Sequence, residues 1–495
     1  MNSRSLRACL SWALLWGSTA GASSQTPRTV LPSSSADNNA KIFKREQNGI
    51  TYNVYEHAAT NSTLSFVQDS GICETTPGVT TYSGYLSVGT NMSMFFWFFE
   101  ARNNPSSAPL ALWLNGGPGC SSMIGLFQEN GPCNFPVNGS TEEPTLNPYS
   151  WNNYANMLYV DQPIGTGFSY GTDNATSTVT AAPFVWNFMQ AFFEAFPTYE
   201  SRDFGLWTES YGGHYGPEFA EYFESQNKAI SNSTITGEVI DLVALGINNG
   251  WIDATIQYQA YIDFGHNNSW RQLINDTQYS TLQQAYETDC LPLLEQCPGV
   301  TGADTACLNA DDSCYQYVEG VVENGPPDYP DFDVYDIREP SDDPYPPETY
   351  VAYLQRADIM KAIGAQVTYS ECPDAPYYKI ADTGDDARSF LDSLSSVIQS
   401  GVNTLIWAGD ADWICNYLGV ERAIDQAQFS GAADFAAASL SDYTLNGTSY
   451  GQFKTAENLN YLKVHAAGHE VAYYQPEISL QAFIQIMQKK SLQST

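Results

Sequence analysis

Short apolar runs recur along this chain at residues 94–99, 110–114, 157–160, 204–207, 239–247, 404–408 and 459–464. Several are apolar at consecutive positions instead of alternating, as strands covered on both faces must be. Helix-like patterns fall between them, notably over 182–196 and 387–400. Such alternation predicts an α/β fold with a mostly parallel central sheet. Between about residues 250 and 350 the character changes to four close cysteines followed by a Pro/Asp-rich run over 326–347. That stretch predicts a cap subdomain inserted over the carboxyl edge of the sheet, where α/β enzymes place their sites.

The amino terminus predicts export. Arg4 and Arg7 precede an apolar run over 8–16, and Ala20-Gly21-Ala22 has the small-x-small form of a cleavage site, so residues 1–22 read as a signal peptide. Residues 23–50 read as a propeptide or a flexible arm, with Lys44-Arg45 as a possible dibasic cut, and 51–495 as the main domain. The apolar run is too short to span a bilayer, and no later segment offers ~20 apolar residues in a row, which predicts a chain outside the membrane. The eight Asn-x-Ser/Thr sequons, at Asn61, Asn91, Asn138, Asn174, Asn232, Asn267, Asn275 and Asn446, fit N-glycosylation in an exported protein. Extracellular residence is expected, with a vacuole-like compartment as the alternative. The formal charge of −35 repels nucleic acid and anionic membranes and is compatible with work in acid. Oligomeric state is not encoded in any pattern found.

The segment Phe204-Gly205-Leu206-Trp207-Thr208-Glu209-Ser210-Tyr211-Gly212-Gly213 is an apolar run that stops at a serine, followed by small residues and a helix-like pattern. It reads as a nucleophile elbow, a tight strand-to-helix turn that projects a hydroxyl above a sheet. Gly212 fits the pattern, whereas Thr208 stands where glycine is usual. An acyl-transfer serine needs a base, an acid that orients the base, and donors for an oxyanion. In α/β-hydrolases the chain order is Ser, then Asp or Glu, then His. The run over 404–408 ends near Asp410 and Asp412, and His465 and His469 follow the last apolar run, so that order is available. His214 is expected on the helix after the serine, packing structurally.

At Leu112-Trp113-Leu114-Asn115-Gly116-Gly117-Pro118-Gly119-Cys120-Ser121-Ser122 the chain resembles the oxyanion loop of serine carboxypeptidases, α/β-hydrolases that remove carboxyl-terminal residues from peptides. The segments around Ser210, Asp412 and His469 resemble that family's other motifs in the right order, and the whole is most similar to secreted and vacuolar fungal members. The resemblance implies an α/β-hydrolase fold with Ser210 as nucleophile, His469 as general base and then acid, and Asp412 orienting it. The backbone N–H groups of Gly117 and Tyr211 would form the oxyanion hole. Asn115, Glu129 and Glu209, with Trp113 beside them, match the set that grips the substrate carboxylate. Substrates would be peptide and protein carboxyl termini, with no cofactor and no metal. An acyltransferase or lyase on the same fold, or an inactive secreted glycoprotein, are the rival readings. Glu470 could line the leaving-residue pocket and favour basic carboxyl-terminal residues.

Removing Cys9 with the signal leaves nine of the ten cysteines, an odd number. The resemblance implies Cys290–Cys314 and Cys297–Cys307 as nested pairs and Cys120–Cys372 as a long-range tie. Cys73–Cys133 is then left over, and Cys415 would be the thiol outside any disulfide.

Overall fold

The computed structural model describes residues 40–57, 62–136, 143–324, 329, 331–342 and 345–495. The expected signal peptide, most of the 23–50 arm, and the sequons at Asn61 and Asn138 lie outside those residues. Lys44 and Arg45 fall inside a strand, paired with Asn53 and Tyr52.

In chain order the main strands are β1 (Ala40–Gln47), β2 (Ile50–His57), β3 (Ser62–Gln68), β4 (Thr81–Gly89), β5 (Met92–Phe99), β6 (Leu110–Leu114), β7 (Asn156–Val160), β8 (Phe204–Glu209) and β9 (Leu242–Asn248). They continue with β10 (Asn403–Gly409), β11 (Ser441–Leu445), β12 (Thr448–Ala456) and β13 (Leu459–Val464). Across the sheet the order is β1-β2-β3-β4-β5-β7-β6-β8-β9-β10-β13-β12-β11, and the two-residue strand Tyr170–Gly171 adds to β5. The six strands from β7 to β13 run parallel. Antiparallel hairpins widen the sheet on both flanks. The sheet is therefore parallel at its centre and mixed overall, because sequential strands close in chain pair as hairpins while the central ones need helical crossovers.

The central strands are buried along nearly their whole length, and Leu110–Leu114 and Asn403–Gly409 entirely so. Successive side chains point to opposite faces, so the apolar run of β5 feeds two cores. Phe96 and Phe98 join Phe188 and Phe192 on one face, while Phe95, Trp97 and Phe99 join Trp113 and Trp207 on the other. The second face carries a cluster in which Trp151 stacks on Phe483 at 4.1 Å and meets Trp207 edge-on at 5.0 Å. Burying each such ring contributes about 1.5–3 kcal/mol.

Helix α1 (Thr178–Ala195) starts at a capping box on Ser177, and α2 (Gly212–Ser231) follows β8 directly. The segment between β9 and β10 is helical, with α3 (Ala254–His266), α4 (Asp276–Ala285), α5 (Asp304–Cys314) and α6 (Leu391–Ser400). Helix α7 (Pro476–Met487) closes the chain. Disulfides join Cys73 to Cys133, Cys120 to Cys372, Cys290 to Cys314 and Cys297 to Cys307. Cys415 is buried and forms none. The sequons at Asn91, Asn174, Asn232, Asn267, Asn275 and Asn446 are all exposed. Among the described residues no helix is long and apolar enough to cross a membrane.

Candidate active site

Ser210 occupies the turn between β8 and α2 with φ +63°, a left-handed conformation that L-residues rarely adopt. Strain of this kind survives only where the surroundings hold it. Here the Ser210 N–H donates to the Asn248 carbonyl at 2.9 Å, and the Ser210 carbonyl accepts from Trp251 N–H at 2.9 Å. The small residues are needed for closeness. A Cβ on Gly212 would come within 2.5 Å of the Thr208 Cβ, and one on Gly116 within 2.4 Å of the Tyr211 nitrogen. The threonine in the unusual place has its own function: Thr208 Oγ1 donates to the Gly212 carbonyl at 2.9 Å, closing the turn from inside.

Asp412 follows the end of β10 and His469 follows β13, neighbouring strands of the parallel sheet. Their side chains meet, His469 Nδ1 to Asp412 Oδ2, at 3.0 Å. The same Oδ2 accepts from Asn249 Nδ2 at 2.7 Å and Cys415 N–H at 3.1 Å. Oδ1 has no hydrogen-bond partner among the described residues. Burial alone would push the His469 imidazole down, but the Asp412 carboxylate, aided by Glu209 and Asp333, outweighs it and the net shift is upward. Asp410 points elsewhere, accepting from Trp270 Nε1 and Ala466 N–H at 2.9 Å each. The histidine and aspartate alternatives left open by chain order are thus separated by contact: only Asp412 and His469 touch.

Asn115, Glu129, Glu209 and Trp113 are buried together. Trp113 Nε1 donates to Asn115 Oδ1 at 2.7 Å, and Asn115 Nδ2 donates to Glu209 Oε1 at 3.0 Å. Glu129 ends a π-helical turn, Gly125–Glu129, and its buried carboxyl lies against the Glu209 carboxyl and the Asn115 amide. Burial, with Glu209 and Glu470 nearby, raises the Glu129 carboxyl well above the usual carboxylate range. Burial also raises Glu209, against the pull of the His469 charge. Glu470 is pushed up by burial and by Glu209, Glu371, Glu348 and Asp333. Carboxyls this close and this dry cannot all ionise, so protons are retained among them.

Sequence reasoning missed Asn248 and Asn249. Asn248 Nδ2 donates to Glu209 Oε2 and to the His469 carbonyl, both at 2.7 Å, while its own carbonyl takes the Ser210 N–H. One residue thereby ties the elbow, the histidine loop and the acid pair. The only hint in the chain is Asn248-Asn249-Gly250 at the end of an apolar run, a turn signal that says nothing of partners. A cleft of about 550 Å³, open to solvent, lies above the elbow, and Gly117, Ser210, Tyr211, Trp251, Tyr261 and Cys415 are among its lining. Tyr335 also lines it, its ring 5.0 Å from that of His469.

A hydroxyl on a strained turn, an imidazole fixed by a buried carboxylate, and a carboxyl cluster that holds protons form a site suited to acyl transfer from an anionic substrate. Comparison with known proteins agrees. A family model described as serine carboxypeptidase matches residues 71–489. Carboxypeptidase S1 of Penicillium janthinellum is 63% identical over 430 residues, covering 87% of this chain and 100% of that protein. Carboxypeptidase S1 homolog A of Arthroderma otae is 35% identical, covering 92% of this chain and 80% of its own length. Among solved structures, a prohormone-processing carboxypeptidase, Kex1, from Saccharomyces cerevisiae superposes with TM-score 0.70 at 25% identity, over 83% of this chain and 91% of that one.

Proposed function

The chain belongs to the serine carboxypeptidase family, and from that membership we propose that it releases carboxyl-terminal residues from peptides and proteins in acid, through an acyl-enzyme on Ser210. His469 takes the proton of the Ser210 hydroxyl and later delivers it to the leaving amine, while Asp412 holds the ring and stabilises the imidazolium. The Gly117 and Tyr211 N–H groups face the oxygen that becomes negative in the tetrahedral intermediate, and such donors are worth about 10²–10³-fold each. The observation that supports the reading is the tie through Asn248, whose amide donates to Glu209 and to the His469 carbonyl while its own carbonyl accepts the Ser210 N–H.

The cluster supplies the exopeptidase character. A peptide's free carboxylate would sit against Asn115, Glu129 and Glu209, and a protonated glutamic acid donates to it where an ionised one would repel it. Recognition is therefore strongest in acid and weakens as pH rises through the elevated pKa values. The three-residue set also argues against the acyltransferase and lyase readings, whose donors carry no terminal carboxylate. Turnover of a blocked dipeptide, compared with its carboxyl-amidated twin, tests this. The free acid should be cleaved far faster at acidic pH, and equal rates would refute carboxylate recognition.

The amino-terminal signal pattern and six exposed sequons support export as a glycoprotein to the medium, with a vacuole-like compartment as the alternative. Amino-terminal sequencing of the mature product, with its mobility before and after removal of N-glycans, tests both processing and glycosylation. A product that still begins at Met1 and carries no glycan would overturn the reading.

A further inference from the structure

His214 lies in the first turn of α2, fully buried, and takes no part in the chemistry described above. Its Nδ1 faces the Trp251 carbonyl at 2.5 Å and its Nε2 faces the Asp385 carbonyl at 3.1 Å. Both partners are acceptors that cannot donate. A neutral imidazole has one N–H and would leave one of these carbonyls against a lone pair, whereas an imidazolium satisfies both. The ring is held between Phe390 at 4.4 Å and Tyr211 at 4.7 Å between centroids.

What the two carbonyls belong to matters. Trp251 N–H donates to the Ser210 carbonyl, and Trp251 Nε1 donates to the Asp386 carbonyl at 2.8 Å. Asp385 is fully buried, and its Oδ2 accepts the Tyr211 hydroxyl at 2.8 Å, Thr178 N–H at 2.9 Å and Thr178 Oγ1 at 2.6 Å. Residues 384–390 thus form a strap behind the elbow. On one side it holds the side chain of Tyr211. On the other, Arg388 Nη2 donates to Asp304 at 2.8 Å and Nη1 to the Gly302 carbonyl, tying it to the start of α5.

We propose that His214 is a positioning residue for the oxyanion hole and acts as an imidazolium, its two N–H groups pinning the strap and the Trp251 loop so that Tyr211 and Ser210 keep their reactive geometry. The inference rests on the functional reading above and adds a second histidine to it. The groups facing the ring are Asp385 on the strap and Asp253 at the start of α3, with Asp386 close to Tyr211 and Arg388 paired to Asp385. Burial pushes the His214 imidazole below its ordinary range, against the pull of Asp385 and the two carbonyls. As pH rises through that lowered value the ring loses its second proton, which strands one carbonyl and loosens the strap, so the clamp closes in acid.

Two measurements on the full-length mature protein test this. In 15N-histidine-labelled enzyme at pH 4–5, the His214 nitrogens, assigned by their loss in His214→Gln, should both carry protons. In His214→Gln, whose amide can donate to only one side of the gap, kcat on a blocked dipeptide should fall about 10²-fold in acid, as misplacement of about 1 Å can cause. KM should stay within about threefold, because the carboxylate-gripping residues are untouched. The kcat of wild type should also fall along a limb that His214→Gln lacks as pH rises. Cleavage by the wild type reports on the functional reading itself, while the ratio between the two proteins and the nitrogen shifts report on the clamp. A singly protonated ring at pH 4–5, or a variant with unchanged kcat and pH profile, overturns the proposal. If the variant does not fold, assignment passes to the ring nearest Phe390 by through-space transfer and the wild-type shifts decide.

Discussion

Replacing Asp412 with asparagine isolates a charge without disturbing the contacts around it. In wild type, Oδ2 alone accepts from His469, Asn249 and Cys415, and Oδ1 accepts from none. An asparagine can put its carbonyl oxygen in the Oδ2 position and keep all three bonds. The opposite flip would set an NH2 group against three donors, so it is excluded by more than one lost hydrogen bond. His469 therefore keeps its tautomer and orientation but loses the carboxylate that stabilises its positive form. With an N···O distance of 3.0 Å, charge centres about 4 Å apart and an effective dielectric of about 20, the missing attraction is about 4 kcal/mol. At about 1.4 kcal/mol per decade, kcat should fall roughly 10³-fold. The amide buried at the Oδ1 position lacks an acceptor and should cost about 1–3 kcal/mol of stability, leaving the fold intact. The His469 pKa should drop as well, because Asp412 is the leading cause of its rise. Steady-state kcat across pH, with a urea unfolding curve for each protein, checks both effects. A loss under tenfold in a folded protein would refute the argument that Asp412 acts through its charge.

Glu129→Gln should flatten the dependence of peptide KM on pH, because an amide donates at every pH, whereas the wild-type carboxyl loses its proton as pH rises through its raised pKa. A KM that climbs equally in both proteins would count against shared-proton recognition. Thr208→Val removes the hydroxyl that donates to the Gly212 carbonyl, and should cost about 1–2 kcal/mol in urea unfolding, leaving KM unchanged. Gly116→Ala should lower kcat strongly, because the new methyl would press on the Tyr211 nitrogen at 2.4 Å and move the N–H proposed to stabilise the oxyanion; an unchanged rate in a folded variant would count against that role for Tyr211.

The parts of the fold legible in the chain were those set by local pattern. β5, β6, β8 and β10 read as strands because both faces are buried, which makes their apolar runs continuous. β1 to β4 escaped notice: β1 is an edge with Ile42 and Phe43 exposed, and polar residues interrupt its neighbours. Two hairpin signals went unread, the Asn48-Gly49 turn joining β1 to β2 and Asn446-Gly447 joining β11 to β12, all four residues at positive φ. The reading of 387–400 as helix began four residues early, taking in Ala387 at the end of a 3₁₀ turn and the linker 388–390, since α6 begins only at Leu391. At the site, strand ends pointed to Ser210, to the pair Asp410 and Asp412 and to the pair His465 and His469, and the family resemblance singled out Asp412 and His469, the two whose side chains meet. His214 sits buried on the helix after the serine, as its position four residues past Ser210 suggested, but its partners, like those of Asn248, are main-chain carbonyls and a distant carboxylate that no spacing rule encodes.

The most direct test is mass spectrometry of enzyme treated with a serine-directed phosphonate, run in parallel on wild type and His469→Ala. Catalysis by Ser210 with His469 as its base requires one adduct, on the peptide containing Ser210, formed rapidly in wild type and very slowly in the variant. Peptide cleavage should vanish in step with labelling. An adduct on a different serine, or cleavage that persists once Ser210 is fully modified, would contradict it.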